Sequence, residues 1–246
     1  MVENSLSYTA NLKEPPDQNP DSSSSLCLPL LFFKIKLYLW VEERRVRRSF
    51  YHNCLFAQTD RALQVSYRFQ NPYRISKKFL LEKNAPDIHL YGETPLTTLH
   101  EIATRSGISS KDHVIELGCG RGRGANFLRH YMGCTVTGIE SIPLFIEKAK
   151  RLELLDPEKR LQFICGDFLE QDLSKATVFY LYGTSLSDES IEQLLKQIVQ
   201  ALKAPIKVIT VSFPLSDYST YFSTEKSFSV HFPWGEADVF VNVHQI

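Results

Sequence analysis

No CxxC pair occurs in this chain, and its five cysteines (Cys27, Cys54, Cys119, Cys134, Cys165) have no metal-ligand spacing. No metal site is therefore expected, and no disulfide framework. Cys119, Cys134 and Cys165 lie in or beside apolar, strand-like runs, where a buried reduced thiol is the ordinary state. That reading places the chain in a reducing, cytosolic compartment. Net charge is missing too: Lys plus Arg and Asp plus Glu are equal at 28. The chain as a whole is not a basic glove for nucleic acid. Residues 1–25 are poor in apolar residues, with "EPPDQNPDSSSS" near their end. Such a composition cannot offset its own ordering entropy, so a disordered tail is expected. It also lacks the charged start and apolar centre of a secretory signal.

The neutral total hides an uneven distribution. Residues 34–83 hold twelve basic and four acidic side chains, whereas residues 84–246 hold fifteen and twenty. A basic segment before an acidic body points to an anionic partner, membrane or nucleic acid. The apolar run Leu26–Val41 carries Lys34 and Lys36 in its middle. A central lysine costs about 2.5–3.5 kcal/mol in a spanning helix. Peripheral membrane contact through residues 26–48, with the cations at the headgroups, fits better than a span. A helix docked on the rest of the chain fits equally well. Residues 42–83 read as an amphipathic helix pair with a solvated basic face. Their interleaved Phe50, Tyr51, Phe56, Tyr67, Phe69 and Tyr73 also keep RNA binding open. "NPYR" at Asn71–Arg74 breaks the pair, because proline disfavours helix at the residue before it.

From residue 92 onward, helix-like and strand-like segments alternate. Strands are expected at 113–117, 134–139, "LQFIC", "TVFYLY" and "IKVITVSF". Helices are expected at about 95–106 and 123–132, from Pro143, and over "SDESIEQLLKQIVQALKA". "KSFSVHF" and "ADVFVNVHQI" close the chain with no helix between them. The pattern is α/β: a Rossmann-like, doubly wound, mostly parallel seven-stranded sheet with a C-terminal antiparallel hairpin. A basic, apolar helical extension over 26–83 precedes a domain over 84–246.

"VIELGCGRGRG" at Val114–Gly124 forms the first strand-to-helix turn of that sheet, where ligands meet the carboxyl ends of strands. Gly118, Gly120 and Gly122 permit close backbone approach. Dinucleotides favour G-x-G-x-x-G/A, which Gly120, Gly122 and Ala125 satisfy. S-adenosylmethionine sites favour an acid two residues before the first glycine, here Glu116, which suits a cationic amino group and not a pyrophosphate. Glu140 ends the next strand and is placed to accept from ribose hydroxyls. Asp167 follows a third strand, placed for an adenine amine, with Phe168 placed to pack on the ring. A lone acid after a strand is ordinarily a helix cap. Three acids after three successive strands, with glycines after the first, favour the cofactor S-adenosyl-L-methionine.

These residues resemble the class I S-adenosylmethionine-dependent methyltransferases over about residues 84–246. "YGETP" at Tyr91–Pro95 and "GDFLEQDL" after the third strand are similar to the seven-β-strand protein-lysine methyltransferases that lack a SET domain. That group includes the nucleosomal histone-lysine type and the mitochondrial type acting on the ATP synthase c-subunit. "VSFPLSDY" and "WGEADVFVNVHQ" resemble the mitochondrial type. The resemblance implies that Glu93 and Thr94 contact the methionine moiety, and that Glu116 and Gly118 hold its amino-acid end. It assigns Glu140 to the ribose, and Asp167 with Phe168 to the adenine. Tyr182-Gly183-Thr184 replaces the Asn-containing motif of the histone type, which argues against a histone substrate. There is no NPPY or DPPY, which argues against adenine-N6 and glutamine-amide methylation.

The expected function is methyl transfer to a protein lysine, with Tyr91, Tyr182 and Phe213 lining the substrate channel and Tyr218 and Asp217 nearby. Aromatic surroundings lower the pKa of a lysine nucleophile by desolvation. Tyr182 and Phe213 read equally well as core, and Asp217 and Tyr218 as loop surface. The alternatives are methylation of RNA, a small molecule or a lipid, and a non-catalytic cofactor-binding module.

Overall fold

In the computed structural model, residues 27–85, 87–183, 186–201 and 205–244 are described. The expected disordered tail and Thr184 lie outside them. Helix α1 spans Cys27–Phe50. Its Ile35, Leu37, Leu39 and Trp40 are exposed, as are Lys34, Lys36, Arg44, Arg45 and Arg48. Among the described residues no helix is long and apolar enough to cross a membrane. Contact with an anionic surface therefore remains a proposal for this segment. Helix α2 (Cys54–Ser66) begins where the Asn53 side chain accepts from the Phe56 amide at 3.0 Å. Helix α3 (Pro72–Glu82) begins behind Asn71, with Pro72 at its first position. Helix α4 (Leu96–Arg105) has no side-chain cap from its own N-terminus. Buried Glu42 of α1 does that work, accepting from the Thr97 amide (3.1 Å) and hydroxyl (2.8 Å).

Seven strands follow: β1 (His113–Leu117), β2 (Thr135–Glu140), β3 (Leu161–Cys165), β4 (Val178–Leu181), β5 (Lys207–Val211), β6 (Phe222–Phe232) and β7 (Gly235–His244). Helices α5 (Arg123–His130), α6 (Pro143–Glu153) and α7 (Asp188–Ala201) connect them. The order is β3-β2-β1-β4-β5-β7-β6. Strands β1 to β5 pair in parallel, and β7 pairs antiparallel with both β5 and β6. This is the expected sheet with its terminal hairpin. Successive strands are added outward to one side from β1 and to the other side from β4, so a crevice opens beyond the carboxyl ends of these two parallel neighbours.

Period-two alternation divides each strand between two cores. Val114, Val136, Val178 and Tyr180 join residues of α2, α4, α5 and α6. Ile115, Leu117, Phe179 and Leu181 join α7. Glu116 therefore shares the face of Val114, under α5. The boundary expected at residue 83 is not a boundary of packing. Val46, Phe50, Phe56, Leu63 and Tyr67 belong to the first core, and the compact unit begins at Trp40. Burial of Phe50, Phe56 and Tyr67 also breaks up the aromatic stripe read as an RNA surface, whereas Arg44, Arg45, Arg48, Arg61, Arg68 and Arg74 keep the basic face solvated. Cys119 and Cys134 are buried as expected; Cys165 is exposed.

Candidate active site

The loop after β1 is shaped by its glycines and by an acid from β2. The Gly118 and Cys119 amides donate to the Ile139 carbonyl at 2.9 Å, and the Gly120 amide donates to Glu140 Oε2 at 2.9 Å. Gly122 has φ +78° and caps α5, and a Cβ there would lie 2.5 Å from the Phe163 ring. Gly120, at φ +55°, lies under the Tyr91 ring, which a Cβ would meet at 3.1 Å. No other residue type fits at Gly122, because both backbone angle and space forbid it.

A cavity of about 30 Å³ opens beneath this loop, lined by Gly92, Glu93, Thr94, Glu116, Gly118 and Gly120 together with Arg121, Arg123 and Tyr182. It gathers six of the residues singled out in the sequence. Glu116 is buried, its Oε1 sits where a Cβ on Gly124 would be (2.4 Å), and its Oε2 has no hydrogen-bond partner. Burial pushes its carboxyl up to about 8; the Ala125 amide opposes this, and the charges of Glu93 and Glu140 add to it. A buried, unpartnered carboxylate oxygen calls for a cation or a donor.

Glu93 is differently placed. It accepts from Arg121 Nε (2.5 Å) and Nη2 (2.6 Å), and from the Tyr91 hydroxyl. Burial opposes its ionisation, but the Arg121 charge and hydrogen bonds outweigh that and hold it below the usual carboxylate range. Thr94 is tied to β4 by a 2.7 Å bond between its hydroxyl and that of Tyr180. Tyr91 packs on Tyr73 and Phe145, with ring centroids 5.2 and 5.1 Å away.

Other expected residues lie outside the cavity lining. Glu140 uses both oxygens on backbone amides, of Gly120 and Ile142 (2.9 Å each), so its first task is to set the glycine loop. Further lone pairs remain for hydroxyl donors. Asp167 is exposed and caps a short 3₁₀ turn through the Leu169 amide at 2.9 Å, with Phe168 half-buried beside it. Phe213 packs with Tyr218 on the α7 side of the sheet. Tyr218 meets Asp188 at 3.1 Å, and Asp217 is exposed.

Two features escaped the sequence reading. Arg123, the first residue of α5, donates to Asp60 of α2 through Nε (2.7 Å) and Nη2 (2.8 Å), and to Glu43 of α1 at 2.9 Å. The helices before the sheet thus brace the glycine loop. The only local sign was two arginines alternating with the glycines in "GRGRG". The second is a stack of rings at the mouth. Tyr182 lies on Phe232 (5.2 Å, 10°), Phe232 lies on Trp234 (5.2 Å, 17°), and Trp234 Nε1 donates to the Tyr182 hydroxyl at 3.2 Å. Trp234 is 58% exposed.

Residues 114–205 match the family model described as a methyltransferase domain. The sterol 24-C-methyltransferase of Eremothecium gossypii is 31% identical over 107 residues, covering 42% of this chain and 29% of that protein. The trans-aconitate 2-methyltransferase of Paracidovorax citrulli is 25% identical over 139 residues, covering 56% and 52%. The chain thus spans about half or less of the length of these curated relatives. Among solved structures, an RNA methyltransferase from Salinibacter ruber in complex with S-adenosyl-L-homocysteine superposes with a TM-score of 0.52. It is 22% identical and covers 63% of this chain and 95% of that one. TrmN from Thermus thermophilus superposes equally well at 13% identity, covering 63% and 51%. Residues 114–205 thus match a methyltransferase domain, and the sheet has the Rossmann-like fold of the superposed methyltransferase structures.

Proposed function

We propose that the protein is an S-adenosylmethionine-dependent methyltransferase. The observation that carries this is buried Glu116, whose Oε2 has no hydrogen-bond partner, among the residues lining a cavity under a glycine loop at the sheet's switch point. When bound, the cofactor supplies a methyl group already activated on a sulfonium. Glu116 would hold its ammonium, the loop amides and Glu140 its ribose side, and Thr94 would anchor the covering segment on β4. The chain's remaining work is to align the acceptor and exclude water.

For the acceptor, the relatives favour a small molecule or lipid, since those named act on a sterol and on trans-aconitate. RNA enters through the superposed RNA methyltransferase, a likeness of fold alone. A protein lysine is supported by the resemblance around Tyr91–Pro95 and by the ring stack at the mouth, which suits a cation. Radiolabelled S-adenosylmethionine, incubated with the protein and a membrane-containing lysate, separates these readings. Label is expected in the lipid and small-molecule fraction and absent with Glu116→Gln. Label in a protein band or in RNA would move the acceptor accordingly. No transfer, together with equal S-adenosylhomocysteine binding by wild type and variant, would overturn the proposal.

The ring stack makes its own prediction. Trp234→Ala removes the outer ring and its bond to the Tyr182 hydroxyl, and leaves Glu116, Thr94 and the glycine loop in place. The acceptor KM should rise by the equivalent of about 1–2 kcal/mol, with S-adenosylhomocysteine affinity unchanged. An unchanged KM would leave Trp234 as a cover for Phe232.

A further inference from the structure

Four charged side chains line the cavity: Glu93, Glu116, Arg121 and Arg123. Arg123 is committed to Asp60 and Glu43. Glu116 has an oxygen to spare. Arg121 and Glu93 hold each other. An α-amino-acid group brings an ammonium and a carboxylate on one carbon. The ammonium suits Glu116, and the carboxylate needs a cation in the same cavity. Arg121 is the cation there whose acidic partner, Glu93, itself lines the cavity. Glu93 sits on an irregular segment next to exposed Gly92, and its footing at Thr94 is fixed to Tyr180. Arg121 is held from behind, with its guanidinium 5.1 Å from the ring centroid of buried Tyr67 at the end of α2. For a ligand carboxylate to take the Nε–Nη2 edge of Arg121, Glu93 must give up its two hydrogen bonds there.

We propose that Arg121 is the carboxylate receptor of this pocket, kept in reserve by Glu93, and that an α-amino-acid ligand exchanges with Glu93 and releases residues 87–93. The exchange replaces one bidentate guanidinium–carboxylate pair with another, so a strong, directional contact is never left unmade. It also gives Glu93 a role opposite to the one the resemblance implies: a competitor of the ligand and not its partner. The inference rests on the cofactor reading above.

The test compares S-adenosylhomocysteine with 5′-methylthioadenosine, which has the same nucleoside thioether without the amino-acid end. Calorimetry on the whole chain measures wild type, Arg121→Ala, Arg121→Lys and Glu93→Gln, with thermal melts to confirm folding. Arg121→Ala is expected to weaken S-adenosylhomocysteine roughly ten- to a hundred-fold and leave 5′-methylthioadenosine within about three-fold. Arg121→Lys should recover part of the difference. Glu93→Gln should tighten S-adenosylhomocysteine, because the competitor loses its charge. This variant decides the matter even if Arg121→Ala does not fold. Equal weakening of both compounds by Arg121→Ala, or weaker S-adenosylhomocysteine binding by Glu93→Gln, overturns the exchange. A wild type that binds neither compound takes down the cofactor reading itself.

Discussion

Glu116→Gln is expected to weaken S-adenosylhomocysteine binding by about 2–3 kcal/mol and to abolish its pH dependence. The free carboxyl is pushed up to about 8 by burial and by its acidic neighbours. It is therefore largely protonated at neutral pH, while an ammonium partner requires the carboxylate. Binding must then expel about one proton at pH 7. Affinity should rise roughly ten-fold per pH unit from about 6 to 8 and flatten above. Calorimetry in buffers of different ionisation enthalpy reads the proton directly. A wild-type profile flat across that window, or a glutamine variant that still releases a proton, would assign the ammonium elsewhere. The same shift has the opposite sign for the free protein. The folded value lies above the ordinary 4.5, so the contribution of Glu116 to stability is full below that value. It is lost as pH rises through about 8. Ligand and free protein thus respond to rising pH in opposite directions, which a thermal melt with and without S-adenosylhomocysteine would show.

Asp60→Ala carries the second large effect. Asp60 is fully buried and accepts from Arg123, from the Tyr51 hydroxyl (2.8 Å) and from Gln64 (2.8 Å). Burial disfavours its charge, but the Arg123 hydrogen bonds and charge, with Tyr51 and Gln64, hold it below the ordinary carboxyl range. Removing it leaves a buried guanidinium with Glu43 alone. A loss of about 3–5 kcal/mol is expected, or roughly 6–20 °C in Tm. Tyr51→Phe should cost only about 1 kcal/mol, the loss of one hydrogen bond. Because Arg123 opens α5 directly after Gly122, cofactor affinity should fall with Asp60→Ala even where the protein stays folded. A melt within about 1 °C of wild type would show that the pair is dispensable. Below the ordinary carboxyl range, as Asp60 takes up its proton, wild-type stability should fall toward that of the variant.

The strands and the glycine loop were legible because their signals are local. Alternation within five residues places Val114 and Glu116 on one face of β1 whatever surrounds them. Gly122 must be glycine for the turn it makes. The hairpin of β6 and β7 follows from two strand-like runs with only a turn between. The three acids at strand ends were equally visible, but their ranking was not. Glu116, Glu140 and Asp167 look alike in sequence. Their neighbours make one an orphan in a cavity, one the clamp of the glycine loop and one the cap of an exposed turn.

Contacts between distant segments lay beyond reach. Arg123 meets Asp60 and Glu43 across 63 and 80 residues. No periodicity encodes such a pair, and both acids sit in a segment whose excess of arginine drew attention to outside partners. Tyr182 gained its role from Phe232 and Trp234, fifty residues on, once β7 had turned back along β5. By itself, the sequence determined the order of elements, the α/β class, the glycine loop and the identity of the acid beneath it, because each depends on neighbours along the chain. Only the tertiary structure decided which charges are paired, which carboxylate is left without a partner and what guards the cavity, because burial and partnership depend on neighbours in space.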